Sequence, residues 1–291
     1  MRRLPGRVLV VGSILAALAT LSACADADVR NPAGAAASTR GSTQPPIAIT
    51  HIHGVARDPR SGELLLATHQ GLFRQVDGEL RQNGPVIDLM SFAVGADGTF
   101  FASGHPGLST DLPQPVGLIT SNDGGASWRV ASRGGQSDFH ALTVAAGTVT
   151  GFDGALRSTS DNSTWTQHAI PSPPRDLAAA PRTGTLLAPT SSGLLTSTDD
   201  GKTWTELAPP ELAVLAAWAD DTTAVIATTN GRLATSTDAG HTWTLHPQTI
   251  GMAEALHAQR TADRQVEVLA VVDDKVIRTL DGGATTQILA E

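Results

Sequence analysis

Several side-chain types are rare or missing in this sequence, and each gap excludes a class of chemistry. The 291 residues contain no tyrosine, so a mechanism that needs a tyrosine nucleophile is excluded. They contain one cysteine, Cys24, which excludes an internal disulfide and any zinc site built from several thiolates. Charged residues make up only 16% of the chain. With abundant glycine, threonine, alanine and serine, this composition favours short strands and tight turns over long amphipathic helices.

The charge of the chain is acidic overall. Its 28 acidic and 20 basic residues give a net charge of −8, and three of the basic residues lie within the first seven positions. An acidic surface repels phosphate backbones, so nucleic acid is not expected as a partner. The same balance argues against a polybasic membrane-binding face, so any membrane attachment has to come from the N-terminus.

The N-terminus has the pattern of an exported lipoprotein. A basic segment over residues 1–7 precedes an apolar run over residues 8–21, which is too short for a comfortable transmembrane span. The run ends in Leu21-Ser-Ala-Cys24, which resembles the bacterial lipobox at every position. The resemblance implies that acyl chains, palmitate among them, are attached to Cys24 and anchor an extracytoplasmic protein to the bacterial cell membrane. The alternative is a plain signal peptide followed by a chance cysteine.

The predicted domain organisation follows from this N-terminus. Residues 1–23 are interpreted as the lipoprotein signal peptide. Residues 24–46 are small, polar and proline-containing, so we expect the lipidated cysteine and a disordered tether there. Residues 47–291 are left for one folded domain.

That domain contains an internal repeat. Three segments match closely: Ser121–Trp128, Ser197–Trp204 and Ser236–Trp243. Two further segments are degenerate. Ser158–Trp165 has Ser160 at the aspartate position and Asn162 at the glycine position, and Thr279–Thr286 keeps Asp281 and Gly283 but lacks the tryptophan. The segment Arg74–Gly78 is a sixth, weak match to the repeat. The last positions of the five clear segments are spaced by 37, 39, 39 and 43 residues.

The repeat resembles the BNR/Asp-box family of sialidase-like, or glycosylhydrolase-like, proteins, whose pattern is S-x-D-x-G-x-[ST]-W. The resemblance implies an all-β fold, a β-propeller with six four-stranded blades near residues 47–83, 84–132, 137–169, 174–208, 212–247 and 252–291. The aspartate accepts backbone N–H groups within the turn and the glycine takes a positive φ, so the box is interpreted as structural. The structural box residues are Asp123, Trp128, Trp165, Asp199, Trp204, Asp238, Trp243 and Asp281. Residues 47–50 are a candidate for a strand that pairs with the last blade and closes the ring.

Aligned repeats place polar residues at one face of the predicted propeller. The start of each innermost strand carries in turn His53, Asp88, His140, Asp176, Ala213 and Glu254. His51 lies two residues before His53 and shares its strand face, and the second hairpins of the first two blades add His69 and His105. A cluster of imidazole and carboxylate groups at a channel mouth predicts a ligand site, and a transition metal such as zinc or copper suits these donors. The alternative is a solvated channel lining. His168, His241, His246 and His257 are interpreted as surface or packing residues.

Three functions are compatible with this pattern. The first is a binding protein that holds a metal, a small ligand, a glycan or a protein partner at the mouth formed by His51, His53, His69, His105 and His140. The second is a glycoside hydrolase that uses Asp88, Asp176 or Glu254 as acid and base. The lack of tyrosine excludes a true sialidase in that case. The third is a metal-dependent enzyme at the same histidines. We expect a monomer, because a closed propeller has few free strand edges.

Overall fold

Six β-sheets follow one another along residues 48–291, which are the residues that this computed structural model describes. Each sheet has four antiparallel strands that pair in chain order. Blades 1 to 3 comprise β1 (Ile52–Arg57), β2 (Leu64–Thr68), β3 (Gly71–Val76), β4 (Glu79–Asn83); β5 (Ile87–Val94), β6 (Phe100–Pro106), β7 (Leu118–Ser121), β8 (Arg129–Ser132); β9 (Ala141–Ala145), β10 (Thr148–Phe152), β11 (Leu156–Thr159), β12 (Thr166–His168). Blades 4 to 6 comprise β13 (Ala178–Ala179), β14 (Leu186–Thr190), β15 (Gly193–Ser197), β16 (Thr205–Leu207); β17 (Ala213–Trp218), β18 (Ala224–Thr228), β19 (Arg232–Ser236), β20 (Thr244–Thr249); β21 (Ala253–Arg260), β22 (Val266–Val272), β23 (Lys275–Thr279), β24 (Gln287–Ala290).

The six sheets are the blades of a propeller. The first strands of neighbouring blades contact one another in a closed cycle that runs from β1 through β5, β9, β13, β17 and β21 back to β1. Six apolar clusters fill the spaces between adjacent blades. The runs of leucine, valine and alanine in the second strands explain this packing, because both faces of β2, β14 and β18 are buried between neighbouring blades. The predicted six-bladed, all-β fold is confirmed.

The Asp boxes close the hairpins between the third and fourth strands of the blades, as their turn chemistry predicts. In the box of blade 4, Thr203 donates both its backbone N–H and its hydroxyl to the Asp199 carboxylate, at 2.8 and 2.7 Å. Ser197 donates to the same carboxylate, and its oxygen accepts the N–H of Gly201 at 2.9 Å. The hydrogen bonds from Thr203 and Ser197 lower the pKa of Asp199 to about 2. The carboxylate therefore stays ionised as an acceptor of the turn. The boxes of Asp123, Asp238 and Asp281 have the same bonds.

The box glycine also sets the distance between blades. Gly125 has φ +95°, and a methyl group there would collide with Leu72 of the preceding blade. Gly240 has the same relation to Leu207, because a Cβ at position 240 would lie 2.9 Å from the leucine Cδ1. The glycine is therefore required twice, once for the backbone conformation and once for the close approach of the neighbouring blade.

The degenerate box of blade 3 differs from the sequence interpretation by one position. Asp161, rather than the residue at position 160, accepts the N–H groups of Ser163 and Thr164 at 2.8 and 2.7 Å. Asn162 takes the positive φ of 61°. The box is one residue shorter than the others, so an ungapped match put Ser160 in the place of the aspartate. Trp165 still packs inward, with its ring stacked on Phe139.

The weak sixth match, Arg74–Gly78, is not an Asp box. The β3–β4 hairpin is a two-residue turn in which Asp77 and Gly78 both have positive φ, at 54° and 83°. This is the type I′ geometry, in which the backbone twist of the turn matches that of the strands. Aspartate followed by glycine therefore serves the hairpin here without the side-chain bonds of a box.

The ring closes without an exchanged strand, so the predicted pairing of residues 47–50 with the last blade is wrong for the part that the structure describes. Residues 48–50 form no strand, and blade 6 is completed by its own four strands. Side chains make the junction instead, since Ile49 packs on an apolar cluster shared by blades 1 and 6. On the side of the Asp boxes, Glu267 pairs with Arg57 at 3.1 Å and also with Arg278.

The predicted signal peptide, Cys24 and the tether up to residue 46 lie outside the described residues. Within residues 48–291, no helix has the length and hydropathy needed to cross a membrane. The attachment of the protein to a membrane by lipid therefore stays a prediction from the sequence.

Candidate functional site

The centre of the ring is a cavity of about 720 Å³ lined by the innermost strands of the blades. Each of these strands begins at one face of the ring, and the hairpins between second and third strands return to that face. The Asp boxes lie at the opposite face. Four of the predicted residues, His53, His140, Asp176 and Glu254, line the cavity.

Three of the predicted residues form a compact group at this mouth. His53 and Asp88 come from the starts of β1 and β5, and His69 comes from the β2–β3 hairpin. One donor atom from each lies within 4.8 Å of the other two. The rings of His53 and His69 are stacked, with centroids 4.7 Å apart. We call His53, His69 and Asp88 the mouth triad.

Two atoms of the mouth triad are buried without a hydrogen-bond partner among the described residues. They are Nε2 of His53 and Oδ1 of Asp88. They face each other at 3.7 Å, which is too long for a hydrogen bond. Leaving a buried polar atom unpaired costs about 1–3 kcal/mol, so such atoms commonly mark the position of a ligand or ion.

His53 is held in its neutral form. Burial lowers its pKa from 6.5 to about 4, and the neighbouring His51 and His69 contribute further to the decrease. Asp88 acts in the opposite direction but does not offset these effects. A neutral imidazole nitrogen carries the lone pair that a metal ion binds, and at neutral pH His53 has this form.

The other predicted histidines of blades 2 and 3 form a chain with carboxylates. His105 Nε2 donates to Asp138 Oδ2 at 2.9 Å, while its Nδ1 faces Asp88 Oδ2 at 3.5 Å. His140 Nε2 donates to the same Asp138 oxygen at 3.0 Å. His105 and His140 are thus connected to the mouth triad through Asp88 and Asp138, and they are not part of it.

A second group lies beside the triad, where blades 1 and 6 meet. His51 Nδ1 is 3.4 Å from Glu254 Oε2, and Asp274 of the β22–β23 hairpin completes a set of three donors within 4.8 Å of one another. All three side chains are at least partly exposed. The His51 and His53 rings meet edge to face at 4.5 Å, so the two groups are immediate neighbours.

Asp176 occupies a different environment from the other carboxylates. Its Oδ1 accepts the N–H of Leu177 at 2.8 Å, and its Oδ2 accepts the N–H of Ala216 in the next blade at 2.9 Å. Burial raises the pKa of Asp176, whereas the two amide hydrogen bonds act in the opposite direction. The side chain therefore connects blade 4 to blade 5.

Two residues of the site are absent from the sequence-based set. Asp138 lies two residues before His140, so in an extended chain both side chains emerge on the same face. Asp274 lies in the hairpin of blade 6 that corresponds to the His69 hairpin of blade 1. Both positions could have been found by aligning the repeats, because a carboxylate at either position can bind a ligand at the mouth as a histidine can.

The four remaining histidines lie away from the mouth or serve packing. His168 contacts Ser158 at 2.7 Å and His246 contacts Thr235 at 2.9 Å, each within its own blade. Burial lowers the pKa of His257 to about 4. This side chain lines the central cavity away from the mouth triad, and its Nε2 is buried without a hydrogen-bond partner among the described residues. His241 is exposed within the box of blade 5.

Comparison with known proteins supports the fold and does not identify a function. Residues 141–256 match the model of the DUF6242 beta propeller domain. No curated protein sequence was found to be similar to the chain.

Three solved structures illustrate the range of similar propellers. YCF48 bound to D1 peptide has 16% identity and a TM-score of 0.54, covering 83% of this chain and 82% of its own. A gluconolactonase from Xanthomonas campestris has 13% identity and a TM-score of 0.61, covering 81% and 85%. A GH74 xyloglucanase from the same organism has 14% identity and a TM-score of 0.53, covering 81% of this chain and 45% of its own. At these identities the similarity shows the fold alone.

Proposed function

We propose that this protein is a lipid-anchored, extracytoplasmic propeller of the Asp-box type that binds Zn²⁺ or Cu²⁺ at the mouth triad. The face around that ion would bind a ligand or a protein partner. The observation that carries the proposal is the pair of buried, unpartnered atoms, His53 Nε2 and Asp88 Oδ1, with His69 beside them.

The donor set of the triad suits these metals. Two imidazoles and one carboxylate are typical ligands of zinc, and imidazole also suits copper. Two atoms that each bind one zinc ion at about 2.1 Å lie at most about 4.2 Å apart. The separation of 3.7 Å between His53 and Asp88 is within this limit. The three donor atoms of the triad lie within 4.8 Å of one another. A sub-ångström movement of a side chain such as the exposed His69 is therefore enough to bring all of them within the limit for one zinc ion.

The chain of His105, Asp138 and His140 supports the same interpretation. Carboxylates that bind a metal are usually oriented by a further hydrogen-bonding group, which fixes their position. His105 faces the Asp88 oxygen that is turned away from His53, and Asp138 orients His105 in turn. We infer that His105 positions Asp88 for the ion.

The surface around the mouth is suited to a partner. Leu108, Leu212 and Met252 are among the exposed large apolar side chains of the described residues. Leu108 lies between the second and third strands of blade 2, and the other two precede the first strands of blades 5 and 6, which are the segments on the face of the mouth. Exposed apolar groups around a polar centre are typical of interaction sites. YCF48, which has a similar fold, was solved with a bound peptide. We therefore favour a peptide or protein partner over a glycan, and a monomeric propeller as the unit that binds it.

The glycoside hydrolase alternative has less support. Both oxygens of Asp176 accept backbone amides, so this residue is poorly placed to exchange protons with a substrate. Asp88 faces two histidines, His53 at 3.7 Å and His105 at 3.5 Å. The sialidase-like assignment is further disfavoured by the absence of tyrosine.

The test is calorimetric titration of the purified protein with Zn²⁺ and with Cu²⁺. The wild type and His241→Ala, a variant of an exposed histidine at the opposite face, should bind with equal affinity. His69→Ala should weaken binding by roughly tenfold or more, because it removes one of three ligands. Wild-type protein that binds neither metal, or a His69→Ala variant that binds as tightly as wild type, would contradict the proposal.

A further inference from the structure

The second donor group at the mouth belongs to the junction at which the ring closes. His51 precedes the first strand of blade 1, while Glu254 and Asp274 come from the first strand and the second hairpin of blade 6. The N-terminal and C-terminal blades share no strand, so their contact depends on side chains. On the side of the Asp boxes the ion pair of Arg57 and Glu267 connects the same two blades.

The charges of this group are not balanced within the described residues. Neither Glu254 nor Asp274 pairs with a lysine or arginine there, and the neighbouring Lys275 pairs with Glu291 at 3.6 Å. Two carboxylates and one imidazole therefore converge within 4.8 Å with no permanent cation between them. Like charges at this distance repel each other unless a cation lies between them.

We propose that His51, Glu254 and Asp274 bind a second divalent cation, which connects blade 6 to blade 1 at the mouth. The group offers one nitrogen and two oxygens, whereas the mouth triad offers two nitrogens and one oxygen. Oxygen-rich donor sets suit harder ions such as Mn²⁺, and imidazole-rich sets suit Zn²⁺ and Cu²⁺. The second site is therefore of a class that accepts Mn²⁺.

Occupation of this site stabilises the closed ring, because the cation binds residues that separate when the two blades part. A ligand that binds only the folded state raises its stability in proportion to the logarithm of ligand concentration over Kd. The proposal does not depend on occupation of the mouth triad, since the two groups share no residue.

The experiment measures Mn²⁺ binding to the full-length protein by electron paramagnetic resonance, together with the thermal unfolding midpoint at increasing Mn²⁺. Two conservative variants in one hairpin form the comparison, Asp274→Asn and Asp273→Asn. Both aspartates are exposed and both have positive φ, at 60° and 50°, but only Asp274 belongs to the donor group. Each variant also reports on folding through its unfolding midpoint without metal.

We expect one Mn²⁺ per wild-type protein and an upward shift of the unfolding midpoint. Asp274→Asn should weaken Mn²⁺ binding by roughly tenfold or more and abolish the shift, while Asp273→Asn keeps both. His69→Ala should leave Mn²⁺ binding unchanged, which separates this site from the mouth triad. Absence of stoichiometric Mn²⁺ binding by the wild type, or equal loss in both aspartate variants, would overturn the proposal.

Discussion

The depressed pKa of His53 predicts a specific loss of stability in mild acid. In the folded protein its pKa is about 4, against 6.5 for the ordinary side chain. Between these two values the unfolded chain binds a proton that the folded chain does not. Stability therefore falls as the pH decreases through this window, and the contribution is fully present only above pH 6.5.

The size of the effect follows from the shift. The difference between 6.5 and about 4, at about 1.4 kcal/mol for each pH unit, sets an upper limit of about 3.5 kcal/mol, and the expected loss is smaller because solvent screens a side chain that is only partly buried. The box aspartates do not contribute in this window, because hydrogen bonds lower the pKa of Asp199 and Asp238 to about 2 and their losses come at lower pH.

The assay is denaturant unfolding of the metal-free protein at a series of pH values from 7 to 4. His53→Gln removes the titrating group, so the variant should lose less stability across the window than the wild type. His257→Gln is the matched comparison, because burial lowers the pKa of His257 to about 4 as well, at a site away from the mouth. Each variant should reduce the dependence of the unfolding free energy on pH by the contribution of the histidine that it removes. A His53→Gln protein with the full wild-type slope would refute the burial of a neutral imidazole at the mouth.

Three further predictions concern stability. Gly125→Ala should destabilise the protein by about 1–3 kcal/mol more than Gly154→Ala in chemical unfolding, because the two glycines have almost equal φ but only Gly125 approaches a neighbouring blade. An equal loss of stability in the two variants would contradict the steric role of the box glycine. Asp176→Asn should cost roughly 1–3 kcal/mol, because an amide NH₂ would replace one acceptor of a backbone N–H, and should leave metal titrations unchanged. Glu267→Gln should cost roughly 1–3 kcal/mol, because the buried carboxylate loses its charge while Arg57 and Arg278, which are partly exposed, lose their ion-pair partner; a neutral result would show that this pair is not needed for ring closure.

The fold could be predicted from the sequence because the repeat encodes local turn chemistry. Serine, aspartate, glycine and tryptophan at fixed spacing close the same hairpin in several blades, and the hydrogen bonds that close it lie within the segment itself. Where the local spacing changed, the prediction was wrong in detail: in blade 3 the box has one residue fewer, and Asp161 is the acceptor where the repeat pattern had put Ser160.

The closure of the ring could not be predicted in the same way. It depends on packing between the first and last blades, which are about 200 residues apart in sequence, and on ion pairs such as that of Arg57 with Glu267. No short motif marks such contacts.

The candidate site was predicted in part for a related reason. The repeat placed His53, Asp88 and His140 at equivalent positions, and the structure brings His53 and Asp88 together with His69. It assigns His140 to a different group, because the side chain turns toward Asp138. Which of several polar residues at one mouth make contact depends on side-chain direction, and a repeat pattern specifies only the position along the strand.

The proposed function depends most of all on one transition metal ion bound by His53, His69 and Asp88. The most direct test is a crystal of the protein grown with Zn²⁺ and measured on both sides of the zinc absorption edge. We expect an anomalous difference peak within about 2.0–2.2 Å of His53 Nε2, a His69 nitrogen and an Asp88 oxygen. A mouth without such a peak in zinc-soaked crystals, with zinc bound only at other surface sites, would contradict the proposal.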